Sequence, residues 1–161
     1  MIITVPNALD TRICDDVIVL GRYAKHSDIP GRQVYRFDVI DEQENETFEA
    51  VAGIIRDTTA QHGLLTPYRW IMLMRYESGQ GLIHRHRDTY GPTREYEAST
   101  FSTLIYLNTV HNGGETVFFF DDEELVVKPV AGTLLIIPGD VEHEARKAIG
   151  QDKYVLLSRH N

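Results

Sequence analysis

The sequence has one cysteine, Cys14, in 161 residues, which excludes an internal disulfide and fits a reducing cytoplasm. No apolar stretch approaches the length of a membrane span. The opening Met1-Ile2-Ile3-Thr4-Val5-Pro6 also lacks the charged start and long apolar run of a secretory signal. Basic charge is scarce: 16 Lys and Arg against 24 Asp and Glu leave a net charge of −8. That balance argues against a nucleic-acid partner, which would draw on clustered cations. Repeats, low-complexity tracts and Pro/Ser-rich linkers are missing too, so no internal boundary is drawn. What is present, 42% apolar and 25% charged residues, is the composition of a globular protein whose length suits one domain spanning residues 1–161.

Two helices are expected in the first part, residues 1–67. Asp10 is positioned to cap a helix carrying Ile13, Val17 and Leu20 on one face. Phe48, Val51, Ala52 and Ile55 follow the i, i+3, i+4, i+7 stripe of a second helix, which His62-Gly63 ends. Asp41, Glu42, Glu44, Glu46 and Glu49 crowd its start, where the helix dipole favours anions. From residue 68 the pattern becomes short β-type runs: 68–76, 82–88, 100–107, 116–120, 124–127, 132–137 and 153–158. Asn112-Gly113-Gly114, Asp121-Asp122-Glu123 and Pro138-Gly139-Asp140 supply turns between them. This predicts an α+β fold. Its core, residues 68–161, is a double-sheet jelly roll (a double-stranded β-helix), with the helices packed on the outside of one sheet.

The chemistry concentrates in His86-Arg87-Asp88, His143 and Lys153. Strand alternation points His86 and Asp88 to one side, with Arg87 turned away and His84 on the same side as the pair. Two imidazoles and one carboxylate make the facial ligand set of an iron(II) site, which leaves positions open for a co-substrate and O₂. His84 is read as a rim residue or a fourth ligand. His143 follows an apolar strand and the turn Pro138-Gly139, an arrangement that delivers a side chain to the mouth of a barrel. Lys153 leads into the apolar run Tyr154-Val155-Leu156-Leu157 and must snorkel or pair with an anion. The distal carboxylate of 2-oxoglutarate would be such an anion.

Several motifs accompany these residues in order: Arg75-Tyr76-Glu77-Ser78-Gly79-Gln80, Thr103-Leu104-Ile105-Tyr106-Leu107-Asn108, Gly113-Gly114-Glu115-Thr116-Val117-Phe118 and Pro129-Val130-Ala131-Gly132-Thr133. With His86-Arg87-Asp88, His143 and Lys153 ten residues on, the stretch 75–159 resembles the core of prolyl 4-hydroxylase-type 2-oxoglutarate/iron(II) dioxygenases. The resemblance implies that His86, Asp88 and His143 hold iron(II), and that no catalytic side chain is needed beyond these ligands. It further implies that Lys153 grips 2-oxoglutarate, and that Tyr76 and Thr116 line the co-substrate pocket. The reaction it implies consumes O₂ and 2-oxoglutarate, releases succinate and CO₂, and hydroxylates an amino-acid side chain, peptidyl or free, or a similar small molecule. Halogenating relatives lack the carboxylate, so Asp88 points to hydroxylation.

One position departs from the pattern: many members carry Trp six residues after the lysine, where this chain has Arg159. Arg159 would meet a substrate carboxylate or a local acidic side chain. Tyr90 and Arg94, in the segment 89–99 after the H-x-D strand, are the other candidates for substrate contact. Two alternatives stand beside this reading. A cupin would use His84, His86 and His143 without 2-oxoglutarate. An AlkB-type nucleic-acid demethylase would use the Lys153/Arg159 pair, against the acidic charge.

Overall fold

The computed structural model describes residues 1–21, 26–29, 32–37, 45–65, 68–88 and 100–160, with only the backbone path for 26–29, 32–37 and 68–70. The first helix, α1, spans Thr11–Gly21. The Asp10 carbonyl accepts its first helical bond from the Cys14 N–H at 3.0 Å, and the Asp10 carboxylate accepts from the Arg12 N–H at 2.8 Å. Those contacts make Asp10 the expected cap. The second helix, α2, spans Glu46–Gln61, and Asn45 caps it by accepting from the Thr47 and Phe48 N–H groups. The sequence reading passed over Asn45 in favour of the acidic run. Glu46 and Glu49 do lie in the first turn, whereas Asp41, Glu42 and Glu44 fall outside the described residues. Gly63 ends the helix in the left-handed region at φ 74°.

Eleven strands are present among the described residues: β1 (Ile3–Val5), β2 (His26–Ile29), β3 (Arg32–Phe37), β4 (Tyr68–Tyr76), β5 (Ile83–His86), β6 (Phe101–Tyr106), β7 (Thr116–Phe120), β8 (Glu123–Val127), β9 (Leu134–Pro138), β10 (Glu142–Ala145) and β11 (Lys153–His160). They form a seven-stranded sheet ordered β1-β9-β6-β11-β4-β3-β2 and a four-stranded sheet ordered β5-β10-β7-β8. The pairings are antiparallel throughout.

Period-two alternation sorts the large sheet's side chains into two cores. Ile71, Leu73, Ile105 and Leu156 pack with Cys14 and Val17 of α1 and with Phe48, Val51 and Ile55 of α2. Met74, Tyr76, Leu104, Tyr106 and Val155 point the other way and meet Phe118 of the small sheet. The helices therefore cover the outside of one sheet, as expected, and the jelly-roll interior lies between the two sheets.

The N-terminal part corrects the sequence reading in one respect, because it adds β1, β2 and β3 to the large sheet. The first is only three residues long and relies on β9 for its bonds. The other two, HSDI and RQVYRF, pair with each other and with β4. Neither carries a long apolar run for a sequence pattern to detect. The fourth strand missed is β10, which lies in the charged stretch 140–147. Its alternation is visible in retrospect: Glu142 and Glu144 face outward to Arg85 and Arg146, while His143 is buried.

Candidate active site

His86 ends β5 and His143 sits on β10, and antiparallel pairing makes them direct cross-strand partners. Their rings approach to 4.4 Å between centroids. The pairing contains an irregularity, since His143 faces His86 while Ala145 faces Ile83. Two steps on β10 thus oppose three on β5. Such a bulge re-aims side chains, and it falls between Ile83 and His86, the part of β5 that carries His84. His84 is exposed and stands outside the His–Asp–His group. Asp88 lies in the turn beyond the strand rather than on it.

The turn brings Asp88 back against both histidines. Its Oδ1 lies 3.6 Å from His86 Nε2 and its Oδ2 4.0 Å from His143 Nε2. One ligand atom from each of the three residues fits within a 4.8 Å cluster. Both imidazoles are oriented in the same way. His86 Nδ1 is 2.8 Å from the His84 carbonyl, and His143 Nδ1 is 3.0 Å from the Val141 carbonyl. Each carbonyl accepts the Nδ1 proton, which leaves the Nε2 lone pair directed into the cluster. His84 therefore contributes through its backbone oxygen.

Asp88, at 3% exposure, would be costly to bury as an anion without donors. Ser102 Oγ donates to Oδ2 at 2.7 Å and Arg159 Nη2 donates to Oδ1 at 3.1 Å. Burial pushes the Asp88 carboxyl up, but His86, the charges of His143 and Arg159, and the Ser102 hydroxyl together hold it well below the usual range. Asp88 in turn raises His86, while burial lowers His143. An ionised carboxylate beside two oriented imidazoles suits a divalent transition metal, so the residues fit the iron(II) site read from the sequence. Arg159 has found the local acidic partner that the sequence left as one of its two options, and that partner is the candidate ligand itself.

Lys153 opens β11 in register with Tyr76 on β4. Lys153, Val155, Leu157 and Arg159 alternate onto the interior face, so the two cations occupy opposite ends of one strand face. Lys153 is 2% exposed, and its Nζ lies 5.3 Å from the Tyr76 ring centre and 5.4 Å from that of Tyr106. No carboxylate lies within ion-pair distance of it among the described residues. Burial lowers its pKa to about 8, with Glu115 acting in the opposite direction. Thr116, also buried, accepts a 2.7 Å hydrogen bond from the Tyr106 hydroxyl. Tyr76, Thr116 and Lys153 thus share the interior with the apolar cluster around Phe118.

Ser102 and Tyr106 were missed as site residues. The signal for Ser102 was a hydroxyl pair, Ser102-Thr103, inside a strand that is buried throughout. Tyr106 was visible only as part of a quoted motif. Tyr90 and Arg94 lie outside the described residues.

Residues 71–158 match the family model of the 2OG-Fe(II) oxygenase superfamily. No curated protein matches the chain. Among solved structures, a Pseudomonas putida prolyl-4-hydroxylase aligns with a TM-score of 0.80 at 22% identity, covering 99% of this chain and 91% of that one. A Trichoplax adhaerens prolyl hydroxylase, solved with a hypoxia-inducible-factor peptide fragment, aligns with a TM-score of 0.80 at 19% identity over 99% and 82% of the two chains. The viral collagen prolyl hydroxylase of Paramecium bursaria Chlorella virus-1 aligns with a TM-score of 0.77 at 15% identity over 98% and 94%. At these identities the structures establish a shared fold.

Proposed function

Because the chain belongs to the 2OG-Fe(II) oxygenase superfamily, we propose that His86, Asp88 and His143 are its iron ligands, that Lys153 binds 2-oxoglutarate, and that the substrate is a peptide-linked amino-acid side chain. The observation that carries the reading is the convergence of His86, Asp88 and His143 within 4.8 Å, with both Nδ1 atoms already engaged. Iron(II) with 2-oxoglutarate supplies an O₂-dependent hydroxylation that releases succinate and CO₂.

The chain's own residues would orient and shield. Lys153 offers a buried ammonium with no carboxylate at ion-pair distance among the described residues, and the Tyr76 and Tyr106 rings exclude water around it. Thr116 Oγ1 accepts from Tyr106, so its own proton is free to donate to the co-substrate carboxylate. Ser102 and Arg159 keep Asp88 ionised and fixed.

A peptide-linked substrate is favoured over a free amino acid on one point of geometry. Arg159, the cation that would greet a substrate carboxylate, is committed to Asp88. The Trichoplax relative, solved with a peptide fragment, is consistent with this. We also read residues 1–161 as one domain, since β1, β2 and β3 lie in the same sheet as β4, β6, β9 and β11. The setting proposed is the cytoplasm, supported by Cys14 as a buried free thiol. No helix among the described residues is long and apolar enough to cross a membrane.

Two measurements test the proposal. Anaerobic addition of 2-oxoglutarate to the iron(II)-loaded protein should produce the weak visible charge-transfer band of keto-acid chelation. A panel of peptides and free amino acids should then show succinate release coupled to a peptide. An unchanged spectrum at saturating 2-oxoglutarate would sink the site assignment. Coupling to free amino acids alone would overturn the substrate class.

A further inference from the structure

The main chain around Lys153 is held by a side chain that acts as a piece of strand. The β6 strand ends at Tyr106, and the Leu107 N–H still donates to the Tyr154 carbonyl at 2.9 Å. Beyond that point the Asn108 amide continues the ladder. Its Oδ1 accepts from the Tyr154 N–H at 2.8 Å, and its Nδ2 donates to the Asp152 carbonyl at 2.8 Å. These two bonds flank Lys153 on both sides, one residue before and one after.

The opposite edge of the same segment is gripped from β4. Lys153 pairs in register with Tyr76. The Asp152 carboxylate accepts from Arg75 Nε at 2.9 Å and from the Ser78 N–H at 3.0 Å. Where β11 begins, then, backbone pairing with β4 holds one edge, and on the other the Asn108 amide carries the ladder on from the Leu107 N–H.

We propose that Asn108 is a positioning residue for 2-oxoglutarate, fixing the Lys153 main chain so that the ammonium stands between Tyr76 and Tyr106 at the place of the distal carboxylate; the inference rests on the reading of Lys153 given above. A charge-assisted contact depends on distance and direction, and Lys153 reaches its position through a flexible four-carbon stem. Fixing the stem's root therefore restricts where the charge can go. Asn108 touches no co-substrate atom in this role and acts through the lysine alone.

The test compares two keto acids. 2-Oxoglutarate and 2-oxopentanoate share the keto-acid head, but only the first has a distal carboxylate. Their ratio of affinities therefore reports the distal grip and not iron chelation. Both are titrated anaerobically into iron(II)-loaded wild type, Lys153→Met, Asn108→Ala and Asn108→Ser, with binding followed by calorimetry and iron content measured separately. Lys153→Met should abolish the preference for 2-oxoglutarate.

Asn108→Ala should reduce that preference by about threefold to tenfold, in line with the loss of one or two hydrogen bonds. Its affinity for 2-oxopentanoate and its iron content should stay at wild-type levels. Asn108→Ser should show the same direction of change, and it provides the measurement should the alanine variant fail to fold. If Lys153→Met loses the preference while both Asn108 variants keep it, Asn108 only closes the sheet and the inference is overturned. A parallel fall for both keto acids overturns it equally. If Lys153→Met keeps the preference, the reading of Lys153 is what fails.

Discussion

Arg159 and Lys153 stand at opposite ends of one face of β11, and the protein treats these two cations, the first part-buried and the second buried, differently. Arg159 donates to Asp88 Oδ1, while Ser102 satisfies Oδ2 and carbonyl oxygens hold the two imidazoles. The carboxylate and both Nδ1 atoms at that end have partners inside the chain, which orients the three side chains before anything binds. Lys153 lies between two aromatic rings, and no carboxylate among the described residues pairs with it. Burial lowers its pKa, which is the electrostatic mark of a charge short of a counter-ion. One end gathers a carboxylate and two imidazoles, the donor set proposed for the metal. The other buries an ammonium with no carboxylate at ion-pair distance among the described residues, the group proposed for the co-substrate anion. Of these two cations, the one beside the candidate metal ligands has its counter-charge inside the chain, and the other has no carboxylate among the described residues at ion-pair distance.

The sharpest way to break this comparison is to remove the ligand carboxylate. Asp88→Ala leaves two imidazoles and removes the carboxylate to which Arg159 donates. Loss of a supporting residue costs roughly tenfold to a hundredfold in metal affinity, and loss of a ligand should cost more than about a hundredfold on that scale. Anaerobic iron(II) binding at matched protein concentration checks this, and near-stoichiometric iron in the variant would refute the assignment.

Lys153→Met attacks the opposite end. A charge-assisted bond is worth about 1.5–3 kcal/mol, so 2-oxoglutarate affinity should fall on the order of tenfold to a hundredfold. Iron content should be unchanged, and Lys153→Arg should do less harm because it restores the charge. If instead Lys153→Met loses iron and Asp88→Ala loses only 2-oxoglutarate, the two ends have been assigned the wrong way round.

Ser102→Ala sharpens the first end without touching a ligand. The buried Oδ2 of Asp88 loses its 2.7 Å donor, and metal affinity should drop by about tenfold while 2-oxoglutarate affinity at saturating iron stays level. Competition with a metal-indicator dye is a suitable measurement.

The smallest effect is one of pH. A lysine binds an anion only while protonated, and burial has brought the folded pKa of Lys153 down to about 8. The charged form is therefore dominant below pH 8 and is lost as pH rises through that value. Affinity for 2-oxoglutarate should fall by about threefold between half a unit below and half a unit above this pKa. Lys153→Arg, which stays charged, should show a flat profile across the same interval.

Much of the site was legible in the chain because the relevant signals are local. His86 and Asp88 are two residues apart, and Lys153 sits at the head of an apolar run whose length and alternation identify a strand. The two helices were legible for the same reason: Asp10 and the stripe from Phe48 to Ile55 are patterns within one or two turns. β10 was not legible, because its outward positions are glutamates whose arginine partners, Arg85 and Arg146, make sense only once neighbouring strands are adjacent. The bulge beside His84 was not legible either, since it depends on the partner strand and leaves no mark in its own.

By itself, then, the sequence determined the fold class, the ligand types and the order in which the chain supplies them, because side-chain chemistry and period-two or period-3.6 patterns are properties of short segments. Only the tertiary structure decided who meets whom. It set His86 opposite His143, turned Asp88 back against both, tied Arg159 to Asp88 and seated Lys153 against Tyr76 and Tyr106. Each of these outcomes joins residues far apart in the chain. A contact of that kind is fixed by strand register and by the cost of burying charge, and both arise only when the sheets close on one another.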